Sequence, residues 1–253
     1  MGKQAGIYGY ADLILPRLLI FGGLVRANGI ILERPSLSEK TICPICNKRR
    51  AERYCPAKGE KICAVDCGTG REVTIDCPSD CTYLIAAHRW ETSHAKPLPE
   101  TKMLFPDVVL PPDVIQMRGA TLSGLGHAIL LYALEQRALT DAEVFAATQA
   151  MAETYRTLLS GIYYEKPPED LVAGGLYAAL AKYIENEKKR EVEHPENPAL
   201  KDSEIFHLLV FLLRFGRLRS NGRPRTRMFI DFLRAQFPPE MGLAKETPRI
   251  IMP

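Results

Sequence analysis

Beyond residue 113 the apolar positions fall into a helical rhythm. Val144, Ala147, Met151, Tyr155, Leu158 and Ile162 recur at steps of three and four, which places them on one face of an α-helix. Thr140, three residues ahead of Glu143, supplies a capping box at its start, in which each side chain satisfies an orphan backbone amide. The same reading predicts helices over residues 114–137, 169–187, 203–215 and 226–237. The helix over 203–215 contains IFHLLVFLL, apolar on all sides, and should lie at the centre of a bundle. Before it, ENEKKREVEHPENP mixes charges of both signs and ends in Pro195 and Pro198, as a solvated loop or a frayed helix end does.

Upstream the pattern is different. KPLPETKMLFPDVVLPPDV carries five prolines, which remove backbone donors and disfavour helix in the residue before each. An extended connector is expected over residues 96–113, with a Cys-rich segment before it (41–95) and a helical domain after it (114–240). Residues 1–40 carry no assignable chemistry and read as an ordered segment, a loose arm, or a start-site artefact or targeting remnant, and residues 241–253 as a tail. The expected fold class is a small Cys-rich zinc-binding module followed by an all-α helical bundle.

Composition adds little. The 253 residues are 46% hydrophobic and 25% charged, with a formal net charge of +3, so no whole-surface field points to nucleic acid or an anionic membrane. The most apolar early stretch, Leu13–Val25, is interrupted by Pro16 and Arg17 and falls short of the roughly 20 residues of a spanning helix. It lacks a clear signal-peptide cleavage site, and a cytoplasmic location is expected.

The chemistry lies in the cysteines. All seven fall between Cys43 and Cys81, as Cys43-x2-Cys46, a lone Cys55, Cys63-x3-Cys67 and Cys77-x3-Cys81. An odd number argues against a closed disulfide framework, and close pairs of thiols suit a tetrahedral cation such as zinc. Pro44 and Asn47–Lys48 around the first pair predict a tight turn whose amides point back at sulfur. Two four-ligand structural sites need eight donors. His88 is the candidate eighth, two helical turns beyond Cys81, with His94 as the fallback. A cross-brace would pair Cys43 and Cys46 with Cys63 and Cys67, and leave Cys55, Cys77, Cys81 and His88 for a second zinc. A sequential scheme would group Cys43, Cys46, Cys55 and Cys63, then Cys67, Cys77, Cys81 and His88. The cross-brace keeps close pairs together and is favoured.

CPIC followed by RYCPAKGEKIC and then the final cysteines resembles the B-box class of small zinc domains over residues 43–88. That class has a leading pair, a lone cysteine about eight residues on, a second pair and a final pair. The chain departs from it at Lys58, where the class often has Asp or Cys, and at Cys77 and Cys81, where it usually has histidines. The longer string RYCPAKGEKICAVDCGTGREVTIDCPSDC is also similar to a group of uncharacterised bacterial proteins. B-box domains are interaction modules, so the resemblance implies a protein partner or self-association, with two structural zinc ions and no reaction.

A rival reading comes from RFGRLRSNGRPRTRMFIDFLR, residues 214–234, with seven arginines and one acid. Arg217, Arg219, Arg223, Arg225 and Arg227 could contact nucleic acid or another polyanion from a helix–turn–helix-like hairpin. The alternative is that these side chains solvate an apolar hairpin and favour a helix C-terminus. In the Cys-rich segment, Cys43–Glu91, eight bases face seven acids, and two zinc ions on seven thiolates would add a net charge of −3 (+4 from the ions, −7 from the thiolates). Bases there are expected to neutralise the thiolates.

An enzyme with an unrecognised site in the helical domain is the third reading. His127 and His207 lie in apolar helical surroundings typical of hydrogen-bonded core histidines. Glu204-x-x-His207 has the spacing of one half of a di-iron site, without a second copy. HExxH, GxSxG and Walker-type loops are absent from the sequence.

Overall fold

The computed structural model describes residues 41–94, 103–193 and 199–237. The sequence readings on residues 1–40, 96–102, 194–198 and 238–253 lie outside them. Two short strands come first, β1 (Arg53–Cys55) and β2 (Glu60–Ile62), followed by α1 (Ala64–Gly70) and α2 (Thr82–Ser93). Six further helices follow: α3 (Pro112–Met117), α4 (Gly119–Glu135), α5 (Asp141–Leu159), α6 (Leu171–Glu193), α7 (Asp202–Arg219) and α8 (Met228–Gln236). The described chain is therefore mostly helical, and no helix in it is long and apolar enough to cross a membrane.

The strands form an antiparallel hairpin in which Arg53 pairs with Ile62 and Cys55 with Glu60. Its turn closes on the Cys55 carbonyl, which accepts from the amides of Lys58 (3.1 Å) and Gly59 (2.9 Å). Gly59 sits at φ +70°, a conformation that glycine adopts at little cost.

In the helical part, α7 is the centre, as its all-round apolar sequence predicts. Ile205, Phe206, Leu208, Leu209, Val210, Leu212 and Leu213 are all buried. α5 packs against α6 and α7, and α4 against α6 and α8. Gly216 in α7 is a close-approach residue, because a Cβ there would lie 2.6 Å from the ring of Phe145 and 3.1 Å from that of Phe229. Those two rings stack with centroids 5.8 Å apart.

Three of the boundaries that differ from the sequence expectation have a structural reason. The helix expected over 114–137 is two, broken at Arg118, whose guanidinium turns inward to the Glu204 carboxylate at 2.9 and 3.2 Å and to the Ala199 carbonyl at 3.0 Å. Helix α5 stops before Ile162, because Gly161 at φ +79° ends it: the Gly161 amide donates to Leu158 and the Ile162 amide to Thr157, the paired bonds of a Schellman motif. Helix α6 runs on through the charged stretch, where Glu185 and Lys189 pair one turn apart at 2.7 Å and Lys188 reaches Asp202 on α7.

The described end of the proline-rich stretch, from Met103, is clamped to α7. Phe105 is buried and lies edge-on to Phe206 at 5.8 Å. Arg214 donates to the carbonyls of Leu104, Phe105 and Val108.

At the start of α5 the predicted capping box is present, with Thr140 and Glu143 bonded reciprocally. Its neighbour Asp141 has a second task. The Asp141 carboxylate accepts from the backbone amides of Phe229 (3.0 Å) and Ile230 (3.3 Å), and so caps α8 from another helix. Burial pushes its pKa up to about 6, against the opposing pull of those amides. A carboxyl raised above its ordinary 3.8 favours the folded state most at low pH and loses that contribution as pH rises through about 6. Asp141→Ala should cost about 1–3 kcal/mol by urea unfolding, since two buried amides lose their acceptor. The loss should be about 1 kcal/mol larger at pH 5 than at pH 7.5. Equal losses at both values would contradict this account.

Candidate metal centre

The segment from Cys43 to Asp66 brings four donors together from two local structures. The first is a turn. The Cys43 amide donates to the Arg49 carbonyl at 2.8 Å and the Asn47 amide to the Cys43 carbonyl at 2.8 Å, with Asn47 at φ +52°. This curl directs the amides of Lys48 and Arg49 at the Cys46 sulfur, as the CPICNK sequence predicts. The Asp66 contact alone would push the Cys46 thiol up, and those amides outweigh it, so the thiol is lowered.

The second structure is the N-terminus of α1. Cys63 is its N-cap, with the Asp66 amide 3.3 Å from its sulfur and the Val65 amide beside it. Cys and Asp at that helix start meet two needs together: the amides lack intrahelical partners, and a thiolate or carboxylate is stabilised by the positive end of a helix.

Together Cys43, Cys46, Cys63 and Asp66 place one ligand atom each within 4.8 Å of all the others. The Cys46 and Cys63 sulfurs are 4.0 Å apart, and Asp66 Oδ2 lies 3.1 Å from Cys43 Sγ and 3.0 Å from Cys63 Sγ. Tetrahedral zinc with bonds of about 2.3 Å to sulfur sets sulfurs roughly 3.8 Å apart, so the spacing fits such an ion. Cys43 and Cys63 are buried, Cys46 and Asp66 partly so. Contacts with the thiols of Cys46, Cys63 and Cys43 hold the Asp66 carboxyl down to about 2, while burial pushes Cys63 up. Three thiols and a carboxylate make a closed donor set that could hold a metal ion.

Asp66 was not among the sequence-predicted ligands. Its signal was present, because Cys63-x2-Asp66 repeats the spacing of Cys43-x2-Cys46 and carboxylates ligate zinc. Counting thiols and imidazoles alone passed over it. Cys67, expected beside Cys63, lies outside the group, with its sulfur 3.8 Å from Arg53 Nη1. Cys55 and Cys77 pack into the same buried cluster as the group, around Ile62 and Ile75, and Cys81 is the N-cap of α2.

The structure brings His88 to a carboxylate. Its Nε2 is 2.9 Å from Glu72 Oε1, whose side chain is 1% exposed. Glu72 also accepts from Asn221 Nδ2 at 2.9 Å and lies 3.8 Å from Arg223, while its carbonyl accepts the Arg225 amide at 2.9 Å. The fallback, His94, stacks on Trp90 at 4.4 Å near the end of α2.

The arginine-rich stretch meets the Cys-rich segment at this point. Arg223 pairs with Glu91 at 3.0 Å, and Arg227 with Asp76 at 2.7 Å while also donating to the carbonyls of Arg137 and Leu139. Arg217 lies over Phe145 at 4.8 Å, and Arg219 over Phe215 and Phe232 at 5.2 and 4.8 Å. Arg225 is exposed. In the helical part, His127 Nε2 and His207 Nδ1 are buried with no hydrogen-bond partner among the described residues, and burial lowers His207. Glu204, of the Glu-x-x-His spacing, is engaged by Arg118 and by the Lys201 amide at 3.0 Å.

No family model, curated protein or solved structure matches the chain. The B-box resemblance therefore rests on the residues quoted for it.

The His88–Glu72 pair makes a pH prediction. Burial opposes the charge on His88, yet Glu72, helped by Glu91 and Asp231, holds its pKa above the ordinary 6.5. Glu72 is likewise lowered below 4.5 against its burial, by His88 and Asn221. The histidine contribution is full below 6.5 and fades as pH rises through the folded value, and the glutamate contribution is full above 4.5 and fades as pH falls. The stability lost in His88→Gln should therefore be greatest between pH 4.5 and 6.5 and shrink by pH 9, by denaturant melts. A pH-independent difference would show that the pair is not charged.

Proposed function

We propose that the chain is a metal-stabilised protein-binding or scaffolding protein, with zinc as a structural ion in the Cys43, Cys46, Cys63 and Asp66 group. The closed donor set carries this reading. Four protein ligands leave no open position for substrate, as structural sites do and catalytic ones do not. Burial of the two sulfurs and the backbone amides directed at Cys46 and Cys63 support the same role.

The ion would hold together two segments that each present apolar side chains to solvent. Ile42 and Ile45 flank and interrupt the first cysteine pair, and Val65 lies between Cys63 and Asp66, all three exposed. Apolar side chains fixed on a rigid metal cage suit a protein partner or a second copy of the chain. The polyanion reading has less support, because Arg223 and Arg227 are neutralised by Glu72, Glu91 and Asp76 within the chain.

Two outcomes are expected. Asp66→Ala should weaken zinc binding at this site at least 10-fold in competition with a chromophoric chelator. Ile45→Asp with Val65→Asp should keep the zinc and lose the proteins captured by the wild-type chain, captures that should survive RNase and DNase. Unchanged capture, or capture abolished by nuclease, would count against the reading.

A further inference from the structure

We propose that Cys55, Cys67, Cys77 and Cys81 form a second, four-thiolate zinc site, with Cys67 in the place that spacing alone gives to His88. The proposal rests on the first group being a metal site. Asp66 completes that group, so Cys67 is not needed there. Successive residues on an α-helix point about 100° apart, which lets Asp66 and Cys67 of α1 serve two different ions.

Three contacts place the four cysteines near one another, in a group more open than the first, whose ligand atoms all lie within 4.8 Å. Arg53 and Cys55 share a face of β1, being two residues apart on a strand. From that face Arg53 reaches the Cys67 sulfur at 3.8 Å, and its guanidinium lies 4.9 Å from the ring of Tyr83, two residues beyond Cys81. The Cys55 side of the hairpin thus looks towards both Cys67 and the start of α2. Cys77 closes the arrangement: like Cys67, it packs against the buried cluster of Cys55, Ile62 and Ile75, and Cys81 and Cys55 are near enough to act on it electrostatically.

The surroundings already resemble those of ligated sulfur. The Glu72 backbone amide, bonded to the Ile75 carbonyl, also lies near the Cys77 sulfur and favours its thiolate, and Arg53 donates to Cys67. Donors aimed at sulfur are the usual outer shell of thiolate ligands. His88, meanwhile, has its Nε2 committed to Glu72. These four sulfurs are less tightly gathered than the first group, so binding must supply side-chain rotations at Cys77 and Cys81, a coupling of metal to local folding that thiolate sites commonly show.

Zinc counted by native mass spectrometry on the full chain tests this. Wild type and His88→Gln should each carry two ions, Cys43→Ser and Cys67→Ser one each, and the double variant none. Two ions in Cys67→Ser, or one in His88→Gln, would overturn the assignment. A single ion in wild type that is lost in Cys43→Ser and kept in Cys67→Ser would remove the second site and leave the first standing. No ion in wild type would sink both. Should the serine variants fail to fold, cobalt titration of the wild-type chain decides. Thiolate-to-cobalt absorbance should rise through two equivalents, and a rise that stops at one refutes the second site.

Discussion

Placing an ionised carboxylate in a protein interior without partners costs several kcal/mol, so a carboxylate found there defines where its partners must sit. Glu72, with a side chain 1% exposed, is that constraint here. It lies just beyond α1, in the left-handed region at φ +53°, and draws His88 from α2 together with Asn221 and Arg223 from the turn between α7 and α8. One side chain therefore fixes the position of α2 relative to α1 and of both relative to the helices. The Arg225 amide on its carbonyl, and the Arg227–Asp76 and Arg223–Glu91 pairs, extend the same joint.

This joint explains why the Cys-rich segment and the helices fall in one compact unit. The arginines of residues 223–227 act as an internal adhesive: their guanidinium and backbone donors meet acids and carbonyls contributed by residues 71–91. Asp141 does comparable work one layer further in, fixing the start of α8 to the start of α5, while the Asp141 amide binds the Thr226 carbonyl at 2.8 Å. The turn from Ser220 to Arg227 is thus held from both sides, by the Cys-rich segment and by α5.

The donor group at Cys43, Cys46, Cys63 and Asp66 is built on different physics. Each half is locally built, since a curled turn and a helix N-terminus direct amides at two of its sulfurs, and the halves meet across the 23 positions from Cys43 to Asp66. Cys63 is at once the end of the hairpin and the cap of α1, so the fold of the hairpin delivers the second half of the group to the first. Chemistry and local geometry coincide there, which is why so short a segment can gather four ligands.

Local interactions were legible in the sequence. The capping box at Thr140, the turn after Cys46, the apolar all-round α7 and most helix positions follow from patterns spanning one or two turns, where the energetics involve neighbours in the chain. Tertiary structure decided what depends on partners far along the chain. It split the first long helix at Arg118, because Glu204 is 86 residues away. It sent His88 to Glu72, and turned Arg223 and Arg227 inward. A histidine two turns beyond a cysteine has the spacing of a ligand, and an arginine run has the composition of a polyanion site, yet each side chain goes to whichever opposite charge the fold places beside it. The same holds for Asp66, whose type and spacing were visible but whose role as a donor appears only when the turn and α1 meet.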